Sequence, residues 1–307
     1  MQTLVSSLKK RFLNSFGLNK FSNRSSSGLL ILQGIDKQKA VEQRAFKKAR
    51  GSALLYLMFS AIPVWVSAEQ ANTPLKYEEP RFLSGRIFRQ DSDRKTAAFK
   101  FTRQSTRSGQ NLDVLREYFY PDGRIAARER LSYHGDDLLS YELEELQINA
   151  GGRAILQRNQ QISGKDRIFF EYPNNLSTGK INKASEPLAK DTLVNDTVGF
   201  FLSDHWAELF EGKEAKCRYI VVPRRETVGF TFKRQHSPQS DPAQTIRIKM
   251  EPTSPIISAL VEPLSFLIEE KPPHRVLEYT GRTTPKIKSG SGWKDFDGVT
   301  VFDWPKP

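Results

Sequence analysis

The stretch LREYFYPDGRIAARERLSYHGDDLLSYELEELQINAGGRAIL, residues 115–156, decides the fold. Its apolar residues recur at every second position, the period of half-buried strands rather than of helices. Pro121-Asp122-Gly123 reads as a tight turn, because proline presets one backbone angle and glycine accepts a positive one. Beyond it Ile125, Ala127, Leu131 and Tyr133 share one face, while Arg124, Ala126, Arg128 and Arg130 share the other. His134 to Asp137 makes the next turn, Leu139, Tyr141 and Leu143 resume the alternation, and Asn149 to Gly152 punctuates again. Strands joined this closely form an antiparallel meander with one apolar and one charged face.

The same period runs outward in both directions. Phe99 and Phe101 suit an earlier strand, and Ile168, Phe170 and Tyr172 a later one. Tyr219 to Val222, then Val228, Phe230 and Phe232, then Ile246, Ile248 and Met250 continue it. Further strands are predicted around Phe266 to Ile268, at Val276 to Thr280 and in DFDGVTVFDW, residues 295–304, with a flexible linker at Gly290 to Gly292. Pro255 and Pro263 bound a short helical turn. Only DTVGFFLSDHWAELFEGK, residues 196–213, changes period: Val198, Phe201, Leu202, Trp206 and Leu209 follow steps of three and four. Asp196 can cap its start and Gly212 can close its end, so one amphipathic helix is predicted over 197–211. A sheet with one wet face must cover the other, and this is the one substantial helix available to do it. The expected fold is therefore α+β: a strongly curved antiparallel sheet, an incomplete β-barrel, wrapped around one main helix in a single domain over residues 81–307.

The chain ahead of that domain is organised differently. Residues 52–66 carry no Asp, Glu, Lys or Arg, a run shorter than the roughly twenty residues that cross a bilayer as a helix. Arg44, Lys47, Lys48 and Arg50 precede it and Val66-Ser67-Ala68 follows it. Residues 51–68 thus read as the apolar region of a signal peptide, cut between Ala68 and Glu69, with Pro63 keeping the cleavage segment extended. A buried core helix or a retained anchor is the alternative. The basic leader, residues 1–50, either resembles an organellar transit peptide, with seven serines and no acid in residues 1–35, or reflects a later start such as Val41, the favoured reading. Residues 69–80 are a polar lead-in. A periplasmic or secreted protein without a permanent membrane anchor after cleavage follows; organellar placement, or anchoring through a retained leader, is the alternative.

This partition changes what the net charge of +12 means. Residues 1–68 hold eleven basic and two acidic residues, so the remainder carries 36 basic against 33 acidic. Such mixed charge does not form the one-sided basic face of a nucleic-acid binder, and no nucleic-acid partner is expected. The single cysteine, Cys217, allows no internal disulfide and suits a buried position.

The exported leader, the meander YFYPDGRIAARERLSY, the helix VGFFLSDHWAELFEG, and the strands VGFTFKRQ, IRIKMEPTSPIISALVEP and LEYTGRTTPK together resemble periplasmic half-barrel proteins of the lipoprotein-carrier (LolA/LolB-like) type, or uncharacterised periplasmic families of similar build. That resemblance implies a cavity for acyl chains or another apolar ligand and carries no active-site motif.

Residue chemistry supplies the remaining candidates. Phe201, Leu202, Trp206, Phe230 and Phe232 would line a hydrophobic ligand hollow, or would simply be core. Asp204 and Glu208 share a helix face while His205 points away, so the helix alone makes neither a metal set nor a triad. Asp136-Asp137 and Glu144-Glu145 could pair as hydrolytic carboxylates, but suit turn and solvent-facing strand positions. No catalytic residue, metal ligand or cofactor is assigned. The expected function is non-catalytic binding or carriage of a hydrophobic small molecule or lipid, or a role in envelope assembly. An envelope hydrolase and a partner-binding module without ligand are the alternatives.

Overall fold

Alternation along residues 99–145 becomes a ladder of adjacent hairpins in the computed structural model, which describes residues 73–158, 165–173, 179–236, 238–259 and 263–305. The signal-peptide region 51–68, the basic leader and the Ala68/Glu69 cleavage point lie outside the described residues. Eight strands form the first half: β1 (Phe82–Arg89), β2 (Phe99–Ser108), β3 (Asn111–Phe119), β4 (Ile125–His134), β5 (Asp137–Glu145), β6 (Ala150–Gln157), β7 (Arg167–Pro173) and β8 (Ile181–Pro187). The second half is β9 (Thr192–Leu193), β10 (Ala215–Val221), β11 (Glu226–Gln235), β12 (Thr245–Pro252), β13 (Leu264–Glu269), β14 (Val276–Ser289) and β15 (Gly292–Asp303). Helices α1 (Val198–Asp204), α2 (Trp206–Phe210) and α3 (Pro255–Ser258) are short.

All strands join one fifteen-stranded sheet in the order β8-β7-β6-β5-β4-β3-β2-β1-β15-β14-β13-β12-β11-β10-β9. Each half is a meander of sequential neighbours, and β1 and β15 pair antiparallel where the halves meet, with Ser84 opposite Asp303 and Arg89 opposite Gly298. Thr192 and Leu193 run parallel to β10, so the sheet is mixed, and its end strands β8 and β9 leave it open.

The expectation of an α+β half-barrel wrapped around one main helix is overturned. The 197–211 segment does not stay one helix: His205 leaves helical geometry at φ −99, ψ 15, and splits it into α1 and α2. Two pieces this short cover only a fraction of so large a sheet. The sheet instead buries apolar side chains in three clusters, and α1 and α2 belong to one of them, with β10 to β14. A second joins β3 to β7 with Val194, Ile220 and Val222, and a third joins β1 to β4 with Phe296 of β15.

Details of the opening stretch follow the expected chemistry, with one register change. Gly123 carries the positive φ, +87, that its turn requires. Between β4 and β5 the register shifts at Ser132/Tyr133, so that Tyr133 faces Leu138. Leu138 is therefore buried, and Leu139, expected inside, is exposed. The Asn149 to Gly152 punctuation combines a left-handed turn at Asn149 with a close approach, since a Cβ on Gly152 would lie 2.3 Å from the Glu171 carbonyl oxygen. Cys217 is buried, and that burial pushes its thiol up to about 12.

Candidate functional site

Three charged residues occupy inward positions beside apolar neighbours on their strands. Arg103 follows Phe99 and Phe101 on β2, Arg116 lies between Val114 and Tyr118 on β3, and Glu129 lies between Ala127 and Leu131 on β4. Glu129 and Arg103 are 0% and 3% exposed, and Asp196, just before α1, is 6% exposed. Ionised side chains at such depth persist only when paired and hydrogen-bonded. Here the two cations and two anions balance.

Arg103 donates from Nε to Asp196 Oδ1 at 2.7 Å and from Nη2 to Oδ2 at 3.2 Å. It also donates to the backbone oxygens of Tyr77 and Pro80. The lead-in segment is thereby tied to the interior, where the Tyr77 ring stacks on Tyr133 at 4.8 Å and meets Phe200 edge-on at 4.9 Å. Tyr133 completes this half by donating to Asp196 Oδ2 at 3.2 Å. Burial alone would push the Asp196 carboxyl up, yet Arg103, Arg116 and the Tyr133 hydroxyl together hold it below its ordinary range. Asp196 is thus an ion-pair partner, and its side chain does not cap α1.

Glu129 anchors the other half. Its Oε1 accepts from Tyr118 Oη at 3.2 Å, from Asn195 Nδ2 at 2.9 Å and from Thr284 Oγ1 on β14. Three separate parts of the chain thus bond this carboxylate, and Tyr219 of β10 supports one of them by donating to Asn195 Oδ1. Arg116 Nε lies 3.3 Å from Glu129 Oε2, and its Nη1 lies 3.6 Å from Asp196 Oδ1. Neither Arg116 Nε nor Glu129 Oε2 has a hydrogen-bond partner among the described residues. The first contact is therefore an ion pair whose N–H and lone pair point elsewhere. The Arg116 guanidinium sits 5.5 Å from the centre of the Phe101 ring. Tyr219 with Phe230, at 6.1 Å, and Tyr279 with Phe266, at 5.0 Å, form aromatic pairs on the second-half strands. Burial raises the hydroxyl pKa of Tyr118, Tyr219 and Tyr279, which stay neutral donors.

The residues nominated from sequence gather beside this site rather than in it. Phe201, Leu202, Phe230 and Phe232 are buried in one apolar cluster, with Trp206 half-buried at its margin. Phe201 and Phe232 lie 5.2 Å apart by ring centres, and Phe230 reaches toward the charged group through Tyr219. Trp206 stacks on His274 at 3.8 Å. Asp204 pairs with Lys76, and His205 pairs with Glu208 at 3.0 Å while its ring rests on Phe201. Glu144 takes Arg128 and Arg130 at 3.1 and 2.6 Å on the outer face. Glu145 turns inward to accept from Tyr172 at 2.7 Å and to pair with Lys286 at 3.2 Å. Among the described residues no group of three His, Cys, Asp or Glu side chains is placed to hold a metal ion.

Sequence reasoning passed over Arg103, Arg116 and Glu129 because each looked like one more charge on a charged strand. The available signal was parity: Glu129 shares its step-of-two register with Ile125, Ala127, Leu131 and Tyr133, Arg103 with Phe99 and Phe101, and Arg116 with Val114 and Tyr118. Searches of protein-family models, curated proteins and solved structures returned no match for this chain.

Proposed function

We propose that this chain is an exported, non-catalytic binding protein, periplasmic or secreted, that holds a hydrophobic molecule or lipid against the aromatic side chains around Arg116 and Glu129. One observation carries the reading: Arg116 faces inward beside a fully buried carboxylate and still keeps 12% of its side chain accessible. Asn195, Tyr219, Tyr279 and Thr284 around it are likewise half-buried rather than sealed. Aromatic side chains gathered around a few convergent polar groups suit a small ligand with a large apolar part. Export rests on the uncharged run and small-residue exit of residues 51–68.

The test is to express the full sequence, purify the processed protein without detergent, and determine its first residue. Native mass spectrometry and organic extraction then identify anything retained. The reading expects Glu69 at the N-terminus and a co-purifying apolar molecule, or binding of a fluorescent apolar probe. An empty protein that ignores such probes overturns it. Dense contacts around Leu202 and Phe232, both 0% exposed, favour a second reading, a partner-binding module with no ligand, and that empty result is its signature.

A further inference from the structure

We infer that residues 73–81 form a latch that acid releases: protonation of the buried Glu78 carboxylate frees this segment from β2 while the sheet beneath stays folded, baring the Tyr133 and Phe200 rings. The inference holds whether or not the interior takes a ligand.

The segment belongs to no strand or helix, so side chains must meet the backbone groups that a ladder would otherwise pair. The row Arg103, Ser105 and Arg107 on the inner face of β2 does this. Arg107 donates from Nη1 to the Thr73 carbonyl oxygen at 2.7 Å, and Ser105 Oγ donates to that of Glu78 at 2.6 Å. Arg103 holds the carbonyls of Tyr77 and Pro80. Where β1 begins, the Ser105 amide donates to the Arg81 carbonyl at 2.9 Å. Leu75 and Tyr77 add apolar contact with the cluster of β3 to β7 below, the Tyr77 ring lying against Tyr133 and Phe200.

Glu78 sits at the centre of this grip and is 2% exposed. Its Oε1 accepts from Arg81 Nη2 at 2.8 Å, and its Oε2 accepts from Arg107 Nη1 at 3.1 Å and from the Leu75 amide at 3.2 Å. One carboxylate therefore aligns Arg107 with Thr73, folds the segment back on itself through Leu75, and fixes its last residue. Protonation removes the charge that strengthens these three bonds and strips Arg107 of its anion. The other charges nearby are independent of it. Lys76 pairs with Asp204 of α1 and lies near Asp136 of the turn between β4 and β5; its contact is half-exposed and holds weakly. Glu79 meets only Arg81, at 3.4 Å, and Arg103 keeps Asp196 when the segment leaves. Burial alone would push the Glu78 carboxyl up, yet the Leu75 amide, Arg107 and Arg81 hold it below its ordinary 4.5. Its share of the latch is thus complete above that value and is lost as pH falls through the lower folded one. The apolar contacts that join the strands beneath do not titrate.

The test is amide hydrogen exchange of the purified protein from pH 7 to pH 3, read by mass spectrometry and normalised to the intrinsic rate at each pH. The Glu78 amide, bonded to the Leu75 carbonyl at 3.0 Å, and the Leu75 amide report the latch. Residues 75–79 should be protected at pH 7 and lose that protection at least about tenfold toward pH 3, the worth of one charge-assisted hydrogen bond. Strands β3 to β5 should keep theirs over the same range. Glu78→Gln should show the released pattern already at pH 7 with no acid step, whereas Glu79→Gln should retain the step. Simultaneous loss in 75–79 and in β3 to β5, no loss anywhere in the range, or no protection of 75–79 at pH 7 overturns the inference. An acid step that survives Glu78→Gln, or one that Glu79→Gln abolishes, does the same. The wild-type series decides the matter even where Glu78→Gln does not fold.

Discussion

The interior beneath α1 and α2 and the interior where β2, β3 and β4 carry their inward charges are built by opposite means. Under the helices Phe201, Leu202, Phe232, Ile246, Ile248 and Met250 meet as hydrocarbon on hydrocarbon. That region gains its free energy from area removed from water and from close contact, which are graded quantities. At the inward charges, Arg103, Asp196, Arg116 and Glu129 hold each other by direction and sign. Such a group is specific about its neighbours but gains little net stability over apolar residues of the same size. The difference teaches where the molecule tolerates change: volume matters in the first region, and pairing in the second.

The sharpest way to break the contrast is Arg103→Met. It leaves Asp196 buried without its bidentate partner and frees the Tyr77 and Pro80 carbonyls, for an expected loss of about 4 to 5 kcal/mol in urea unfolding. The double variant Arg103→Met with Asp196→Leu should be less unstable than that single change, by at least about 1 kcal/mol. A double variant worse than either single would show that the hydrogen bonds to the lead-in, rather than charge pairing, dominate there. Phe232→Ala tests the other region and should cost about 3 to 4 kcal/mol through the cavity it leaves.

Acid should separate the two regions more gently. Asp196 has its carboxyl pKa lowered from 3.8 in the folded protein, so its contribution is present above the unfolded value and is lost as pH falls below it. Denaturant midpoints measured downward from pH 5 should therefore drop, and Asp196→Asn, weaker throughout, should show a shallower drop. Smallest of all, Asp204→Asn at the half-exposed contact with Lys76 should change stability by less than about 1 kcal/mol. A larger loss would mean that α1 depends on its lead-in tether.

What could be read from the sequence divides along the same line. The opening stretch gave its strands because apolar residues at every second position have no other economical arrangement, and the Pro121-Asp122-Gly123 turn held for the stated reason. The helix was over-read: its three-and-four spacing is real through Leu209, but spacing does not reveal that the backbone breaks at His205. Curvature around a helix was inferred from a shortage of helices, whereas fifteen strands can cover one another. The site was missed because periodicity arguments discount charges as solvent-facing, and Arg116 and Glu129 are informative because they violate that assumption. Their partners Asn195, Tyr219 and Thr284 lie 66 to 155 residues from Glu129 or beyond the reach of any local pattern.

The pairing of β1 with β15 sets the timetable of folding. The ladder that unites the halves cannot close until the final strand has been made, and until then the free flanks of β1 and β14 stand as raw templates for any other extended chain. A polypeptide with this connectivity keeps two unpaired strand edges open until β15 is available to join them.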